Sequence, residues 1–261
     1  MEIASIQMGV VEDGKEAAIQ KAVKRIRECR GADLIILPEL WNIGFMSFDR
    51  YYEQAETENG PTLTTMQAMA REMKAYLHTG SFVLKQEDSY YNASYLLSPE
   101  GEILGSYRKI HLFAFNSQES QLLTPGEQIS VIQTPLAAFG LATCFDLRFP
   151  ELFRRMVDRG AEIFLICSAW PYPRLEHWII FNRARAIENQ CVLISSNAVG
   201  LNRGVTLAGH SMIVDSWGTI LASGGDDEVT LRTRVDTERI HEARQRFPGL
   251  AGRNQWLKQP G

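Results

Sequence analysis

Gly140-Leu141-Ala142-Thr143-Cys144-Phe145-Asp146-Leu147-Arg148-Phe149-Pro150-Glu151 reads as a short apolar strand that runs into a helix. Gly140 to Cys144 is compact and hydrophobic, as a buried strand is, and Pro150 is placed to start a helix near Glu151, where its missing N–H costs nothing. A strand followed closely by a helix is the repeating unit of an α/β fold.

The same alternation continues on both sides. Upstream, Ile3 to Met8 is strand-like, and residues 14–30 put Ile19, Ala22, Val23, Ile26 and Cys29 on one helical face. Asp33-Leu34-Ile35-Ile36-Leu37 is a buried strand stopped by Pro38 and ending at Glu39. Residues 61–76 carry Leu63, Met66, Met69, Ala70 and Met73 at helical spacing behind Pro61, and predict a second helix over that whole span. Tyr91 to Ser98 and Ile103 to Tyr107 read as two strands around the turn Pro99-Glu100-Gly101-Glu102.

Downstream, Glu162 to Ser168 is a strand and residues 175–189 a helix. Val192 to Ser196, His210 to Asp215, Ile220 to Ser223 and Val229 to Val235 are further strands. The extended pairs make the sheets mixed rather than purely parallel. No repeat or linker divides the chain, which predicts a single α/β domain over residues 1–261. Residues 245–261 read as a C-terminal tail whose Trp256-Leu257 could pack on the body or on another subunit.

Composition narrows the function classes. Hydrophobic residues make up 45% and charged residues 22% of 261, and the net charge of −4 is spread along the chain. That argues against nucleic acid as a partner, which favours a basic face. No apolar run reaches the roughly 20 residues that span a bilayer, and the N-terminus lacks a basic region before an apolar core, so a cytoplasmic location without membrane partners is expected. Cys29, Cys144, Cys167 and Cys191 show neither a CxxC nor Cys/His metal spacing, which predicts free thiols and no metal site.

Three places depart from a plain α/β core. Glu39 ends a buried strand between a proline and Leu40-Trp41, where partial desolvation would raise its pKa toward a range useful for proton transfer. A surface glutamate after a strand is the ordinary alternative. Tyr107-Arg108-Lys109-Ile110-His111-Leu112-Phe113 offers a fixed cation for a developing oxyanion, or simply a solvated basic turn. His111 is a conceivable base but reads better as structural. Cys144 falls where a strand turns into a helix, an elbow that exposes the sulfur and aims backbone N–H groups at it. Its alternative is a buried small hydrophobe, which Cys167 and Cys191 fit better.

Taken together and in order, Pro38-Glu39-Leu40, Tyr107 to Phe113, and Cys144-Phe145-Asp146-Leu147-Arg148-Phe149-Pro150-Glu151 resemble the nitrilase superfamily of carbon–nitrogen hydrolases, over about Ile3 to Val235. The resemblance implies a four-layer α-β-β-α sandwich, commonly a homodimer or higher homo-oligomer, with no cofactor. It implies Cys144 as nucleophile, Glu39 as general base and Lys109 as oxyanion-stabilising cation aided by the Phe145 N–H. Glu119, in Gln118-Glu119-Ser120, matches a second glutamate that positions the lysine or the substrate.

Phe145-Asp146 after the cysteine resembles amidases rather than nitrilases. Ser168-Ala169-Trp170-Pro171-Tyr172-Pro173-Arg174-Leu175-Glu176-His177-Trp178 and Ala184-Arg185-Ala186-Ile187-Glu188-Asn189-Gln190 are similar to the bacterial ω-amidase branch, which implies a terminal amide of a 2-oxo acid such as 2-oxoglutaramate. Such a substrate carries a distal carboxylate. Arg148 or Arg174 could clamp it and Trp170 could wall the pocket. Alternatively Arg148 pairs with Asp146 or Glu151, and Trp170 and Trp178 are core or dimer packing. Arg185 and Glu188 are spaced for an intrahelical pair. A deaminated-glutathione amidase, an N-carbamoyl hydrolase and a non-catalytic scaffold stay open. Phe149, Leu152, Phe153 and Trp178 are candidate dimer contacts, or else interior residues of one subunit.

Overall fold

The computed structural model describes residues 1–253; the Trp256-Leu257 part of the expected tail lies outside them. In chain order the first half contains β1 (Glu2–Gln7), α1 (Lys15–Arg27), β2 (Leu34–Ile36), α2 (Pro61–Met73), β3 (Tyr76–Gln86), β4 (Ser89–Leu97) and β5 (Ile103–Arg108). After the one-turn α3 (Glu119–Leu122) come β6 (Val131–Gln133), β7 (Ala138–Thr143), α4 (Pro150–Asp158), β8 (Ile163–Ser168), α5 (Leu175–Asn189) and β9 (Val192–Asn197). The chain continues through β10 (Val199–Asn202), β11 (Val205–Ala208), β12 (Met212–Val214), β13 (Ile220–Ser223), β14 (Val229–Arg234), α6 (Glu238–Arg246) and α7 (Gly249–Gly252).

Two six-stranded sheets result, ordered β14-β1-β2-β3-β4-β5 and β13-β12-β9-β8-β7-β6. Each has three central parallel strands, β1-β2-β3 in one and β7-β8-β9 in the other, flanked by antiparallel neighbours. Period-two alternation sorts their side chains into separate layers. Leu34 and Ile36 face the other sheet, where Phe139, Leu141, Ile163, Leu165 and Ile194 meet them. Ile35 and Leu37 face outward under Ala22 and Ile26 of α1 and Leu63 and Met66 of α2. Phe164 and Ile166 face outward under Phe153 of α4 and Trp178 and Ala186 of α5. The order is helices, sheet, sheet, helices: the α-β-β-α sandwich.

Polar side chains fasten the two sheets where β1 crosses β9. Ser5 Oγ donates to the Ser195 carbonyl at 2.8 Å, and Ser196 Oγ donates to that of Ile6 at 2.6 Å.

Three departures from the sequence reading have physical causes. The helix expected over residues 61–76 stops at Met73, because Lys74 adopts φ 52° and ends it, and Tyr76 already belongs to β3. β3 is a central strand that apolar patterning hides, since it carries His78, Thr79, Gly80 and Ser81 with a bulge between His78 and Ser81. Gly80, at φ 66°, lies so close to the Glu39 turn that a Cβ would sit 2.1 Å from the Pro38 carbonyl oxygen. The Ser81 N–H donates to that oxygen and Ser81 Oγ accepts from the Leu40 N–H, both at 3.1 Å, so the bulge holds the segment that presents Glu39. β6 and the β10-β11 hairpin were also unmarked by patterning, being only three and four residues long.

Of the apolar residues considered for a dimer face, Leu152, Phe153 and Trp178 are buried within the one chain and Phe149 stacks on His111 at 3.6 Å. Of the two alternatives left open for these residues, Leu152, Phe153 and Trp178 fit the interior of one subunit, while Phe149 is only half-buried.

Burial pushes the Cys29 thiol up to about 11 and those of Cys167 and Cys191 up to about 12. An unfolded thiol ionises near pH 9, so above that pH the unfolded state releases protons that the folded state keeps, and stability falls as pH rises. Unfolding free energy from urea titrations is expected to drop between pH 9 and pH 10 by on the order of 1 kcal/mol per buried thiol. Cys191→Ala should make that decline shallower by about one thiol's share, and a decline identical to wild type would refute the assignment.

Candidate active site

β7 delivers Cys144 at its carboxyl end, and the chain then turns through a 3-10 segment, Cys144–Arg148, before α4 begins at Pro150. Cys144 adopts φ 48°, a left-handed conformation that costs a non-glycine residue roughly 1–2 kcal/mol. Asp146 holds the turn in place. Its Oδ2 accepts from the Thr143 N–H at 2.9 Å and from the Tyr107 hydroxyl at 2.7 Å. Its Oδ1 accepts from the His111 N–H at 3.1 Å and lies 2.7 Å from His111 Nδ1. Asp146 thereby ties the cysteine elbow to the segment that carries Lys109, and His111 is a structural partner of Asp146.

Glu39, Lys109 and Glu119 all lie fully buried in one cluster. Lys109 Nζ donates to Glu39 Oε1 at 2.8 Å and to both oxygens of Glu119 at 2.9 Å. Asn92 Nδ2 adds a donor to Glu39 Oε1 at 2.8 Å and to Glu119 Oε1 at 2.9 Å. The Phe113 N–H donates to Glu119 Oε2 at 2.7 Å. Glu119 thus accepts four hydrogen bonds, one for each of its lone-pair sites. Among the described residues Glu39 Oε2 accepts the Ala169 N–H alone, at 2.9 Å. One acceptor site on Glu39 remains open to take a proton.

The electrostatics follow. Burial works against the Lys109 ammonium, yet Glu119 and Glu39 hold it well above the ordinary lysine range. Burial raises Glu119, Lys109 opposes this, and the Glu39 charge adds to the rise. Burial pushes the Cys144 thiol well above its usual range and the Glu39 charge adds to it, with Lys109 and the Ser168 hydroxyl pulling the other way. Cys144 is a neutral thiol at rest, 7% exposed, beside a buried carboxylate. The elbow does not expose the sulfur to bulk water, as the sequence reading expected; it opens it to a cavity.

That cavity, about 190 Å³, is lined by Cys144, Phe145, Trp170, Arg148 and Arg174, with Phe45 and Phe113 on other walls. All three residues expected to contact substrate are therefore present. Arg148 makes no ion pair with Asp146 or Glu151; it lies over Trp170 at 5.0 Å and Phe181 at 5.3 Å and donates to His177 Nδ1 at 3.1 Å. Arg174 lies over Phe113 at 5.2 Å. Among the described residues neither guanidinium is paired with a carboxylate. Trp170 both walls the cavity and packs on Trp178 at 5.6 Å. Arg185 and Glu188 form the expected intrahelical pair, at 2.7 Å.

Sequence reasoning missed Asn92 and the N–H groups of Ala169 and Phe113. Backbone donors carry no sequence signal. Asn92 carried one, a polar residue in the middle of a strand, within Tyr91-Asn92-Ala93.

The carbon–nitrogen hydrolase family model matches residues 2–245. The chain is 36% identical to a 2-oxoglutaramate amidase of Paenarthrobacter nicotinovorans, covering 97% of this chain and 89% of that protein. It is 33% identical to a deaminated glutathione amidase of Yersinia enterocolitica, covering 95% and 91% respectively. Among solved structures it superposes on Saccharomyces cerevisiae Nit3, a member of branch 10 of the nitrilase superfamily, with a TM-score of 0.87 at 30% identity over 95% of this chain and 94% of that one.

Asp146→Ala would strip the buried Tyr107 hydroxyl and the Thr143 N–H of their shared acceptor. Urea unfolding should show a loss of roughly 3 kcal/mol or more, since each unsatisfied buried group costs about 1–3 kcal/mol. A loss below about 1 kcal/mol would mean that Asp146 does not hold the elbow.

Proposed function

The chain belongs to the carbon–nitrogen hydrolase family, and on that premise we propose that it hydrolyses the terminal carboxamide of a small carboxylate-bearing substrate to acid and ammonia, in ω-amidase fashion. The observation that carries the chemistry is the single open acceptor site on buried Glu39 beside the neutral thiol of Cys144.

In the first step Cys144 Sγ bonds to the amide carbon while its proton passes to Glu39 Oε2. The carbonyl oxygen becomes an oxyanion held by the Lys109 ammonium and the N–H of Phe145, a donor left unspent where the turn begins. All three ammonium protons face carboxylate oxygens at rest, and two of those oxygens belong to Glu119. One contact to Glu119 can pass to the oxyanion while the other keeps Lys109 anchored. The intermediate collapses, the C–N bond breaks, and Glu39 returns the proton to the leaving nitrogen as ammonia departs. Glu39 then takes a proton from water as it attacks the thioester carbon, and that proton restores the thiol when the C–S bond breaks.

Arg148 and Arg174 suit the far carboxylate of the substrate, because both reach the cavity wall and both are free of acidic partners among the described residues. A cavity of about 190 Å³ favours a short amide such as 2-oxoglutaramate. Similarity to a deaminated glutathione amidase makes that longer amide the second reading.

Assembly as a homodimer is part of the same proposal, through a different face from the one the sequence suggested. Ile180 and Ile187 on α5 are 57% and 48% exposed, and Ile187 sits against Gly218 beside exposed Trp217, which in turn lies 6.5 Å from exposed Phe247. No helix among the described residues is long and apolar enough to cross a membrane. Four buried free thiols suit the reducing cytoplasm, where we place the protein.

Ammonia release should be measured from 2-oxoglutaramate, deaminated glutathione, glutamine, an N-carbamoyl amino acid and the uncharged propionamide. The expected result is preference for 2-oxoglutaramate, lost by on the order of 1,000-fold or more in Cys144→Ala. Arg174→Ala should raise KM for the carboxylated amide by about 10- to 100-fold, the worth of a charged hydrogen bond, and leave propionamide unchanged. Equal loss on both would remove Arg174 from substrate binding, and preference for another amide would overturn the substrate. Light scattering should give about twice the 29.5 kDa chain mass. Ile187→Glu should return it to the single-chain value; a wild-type monomer would refute the dimer.

A further inference from the structure

Among the described residues, Asn92 is the one uncharged side chain hydrogen-bonded to both glutamates of the cluster. It lies in β4 and is 1% exposed. Its two amide protons are divided between Glu39 Oε1 at 2.8 Å and Glu119 Oε1 at 2.9 Å. Its backbone carbonyl accepts the Lys109 N–H at 2.9 Å. One residue therefore contacts all three charged members, which come from the turn after β2, the end of β5 and α3. The amide orientation follows from chemistry, because the reverse would set Oδ1 against two carboxylate oxygens. The same Oδ1 is buried with no hydrogen-bond partner, so the side chain is oriented by its two N–H donors alone.

We propose that Asn92 is a positioning residue for the amidase reaction: it holds Glu39 and Glu119 together as two anions around one ammonium and keeps Glu39 Oε2 directed at the Cys144 thiol. The proposal rests on Glu39 serving as the base. Two carboxylates beside one Lys109 leave an excess negative charge in a dry site, and like charges at such range favour retention of a proton by one of them. A proton on Glu39 would abolish its basicity. Asn92 opposes this by donating one N–H to each carboxylate without adding charge.

The other titratable groups facing Glu39 are accounted for. Lys109 stays charged, and Cys144 stays a thiol. Tyr51 is held neutral by burial and donates its hydroxyl to the Phe45 carbonyl at 2.6 Å. Cys167 is pushed up to about 12. Among the described residues this leaves the carboxylate pair bridged by Asn92 to govern the acid limb of the proposed reaction.

Asn92→Asp keeps the shape and replaces the donor with a third carboxylate; Asn92→Ser keeps one donor and is the variant to use if the first does not fold. Two readouts are followed from pH 5 to pH 9: kcat/KM for 2-oxoglutaramate, and the rate of Cys144 alkylation by iodoacetamide, assigned by peptide mass. The acid limb should move up by about one pH unit or more in Asn92→Asp and by less in Asn92→Ser. KM at the new optimum should stay within about threefold of wild type. A rate lowered equally at all pH values, or a loss confined to KM, would overturn the role. Alkylation needs no amide, so a shifted alkylation limb in a protein inactive on 2-oxoglutaramate would sustain Asn92 and sink only the substrate.

Discussion

The ammonium of Lys109, fully buried between two carboxylates, is the constraint around which the site is built. A lone charge there would cost several kcal/mol in lost hydration, and removing either partner would leave an uncompensated ion. The cluster is tolerable only because nearly every oxygen and proton in it is satisfied. That satisfaction needs Asn92, the Ala169 N–H and the Phe113 N–H in addition to the three charged residues. Moving any of the contributing segments by an ångström would break several hydrogen bonds at once.

The sandwich meets this demand by bringing strand ends of both sheets to one place. β2 ends just before Glu39, β7 just before Cys144, and β8 just before Ala169. The Glu39 N–H donates to the Ser168 carbonyl at 3.3 Å, so the first sheet's contribution is hydrogen-bonded directly to the second's. Behind Glu39, the β3 bulge at Gly80 fixes the turn; behind Cys144, Asp146 does the same. The outer helices and the inter-sheet core pack against the sheets that carry the cluster, and Cys144 is itself part of the apolar layer under α4 and α5. They set the separation of the strand ends, and through it the distances in the cluster.

How far the sequence could be read depended on whether a residue's role leaves a mark in pattern or in type. Apolar strands such as Leu34–Ile36 and Ile163–Ser168 are buried on both faces and stand out as short hydrophobic runs. β3 is equally central but its polar residues serve the site, so periodicity passes over it. Glu39, Lys109 and Cys144 are reactive types at strand ends and were legible, with Glu119 recognisable only through its family motif. Asn92 is a modest residue type whose importance lies in facing two acids that are 53 and 27 positions away, which no local window contains. The choice between dimer face and interior for Phe149, Leu152, Phe153 and Trp178 stayed open in the sequence for a related reason. Burial inside one subunit and burial between two select the same apolar types, and only the fold shows that Phe153 is buried and Ile187 exposed in the single chain.

The state of the thiol explains why the cluster carries one more carboxylate than it has cations. Many cysteine nucleophiles rest as thiolates beside a positive partner, but here a resting thiolate would face Glu39 and Glu119 with only Lys109 to balance three negative charges. The sulfur therefore keeps its proton, and the charge of the site is −1 before the reaction. In the proposed reaction Glu39 becomes neutral as Cys144 attacks and the substrate oxygen becomes negative, and the total is −1 again. Negative charge has moved from one neighbour of Lys109 to another without any net charge entering the dry interior. In the proposed exchange Glu119 takes no proton; it gives up one contact from Lys109 and keeps the other, so that Lys109 stays charged when Glu39 no longer balances it. A site with a single glutamate would leave that ammonium without a counter-ion in the protein at the moment the oxyanion forms.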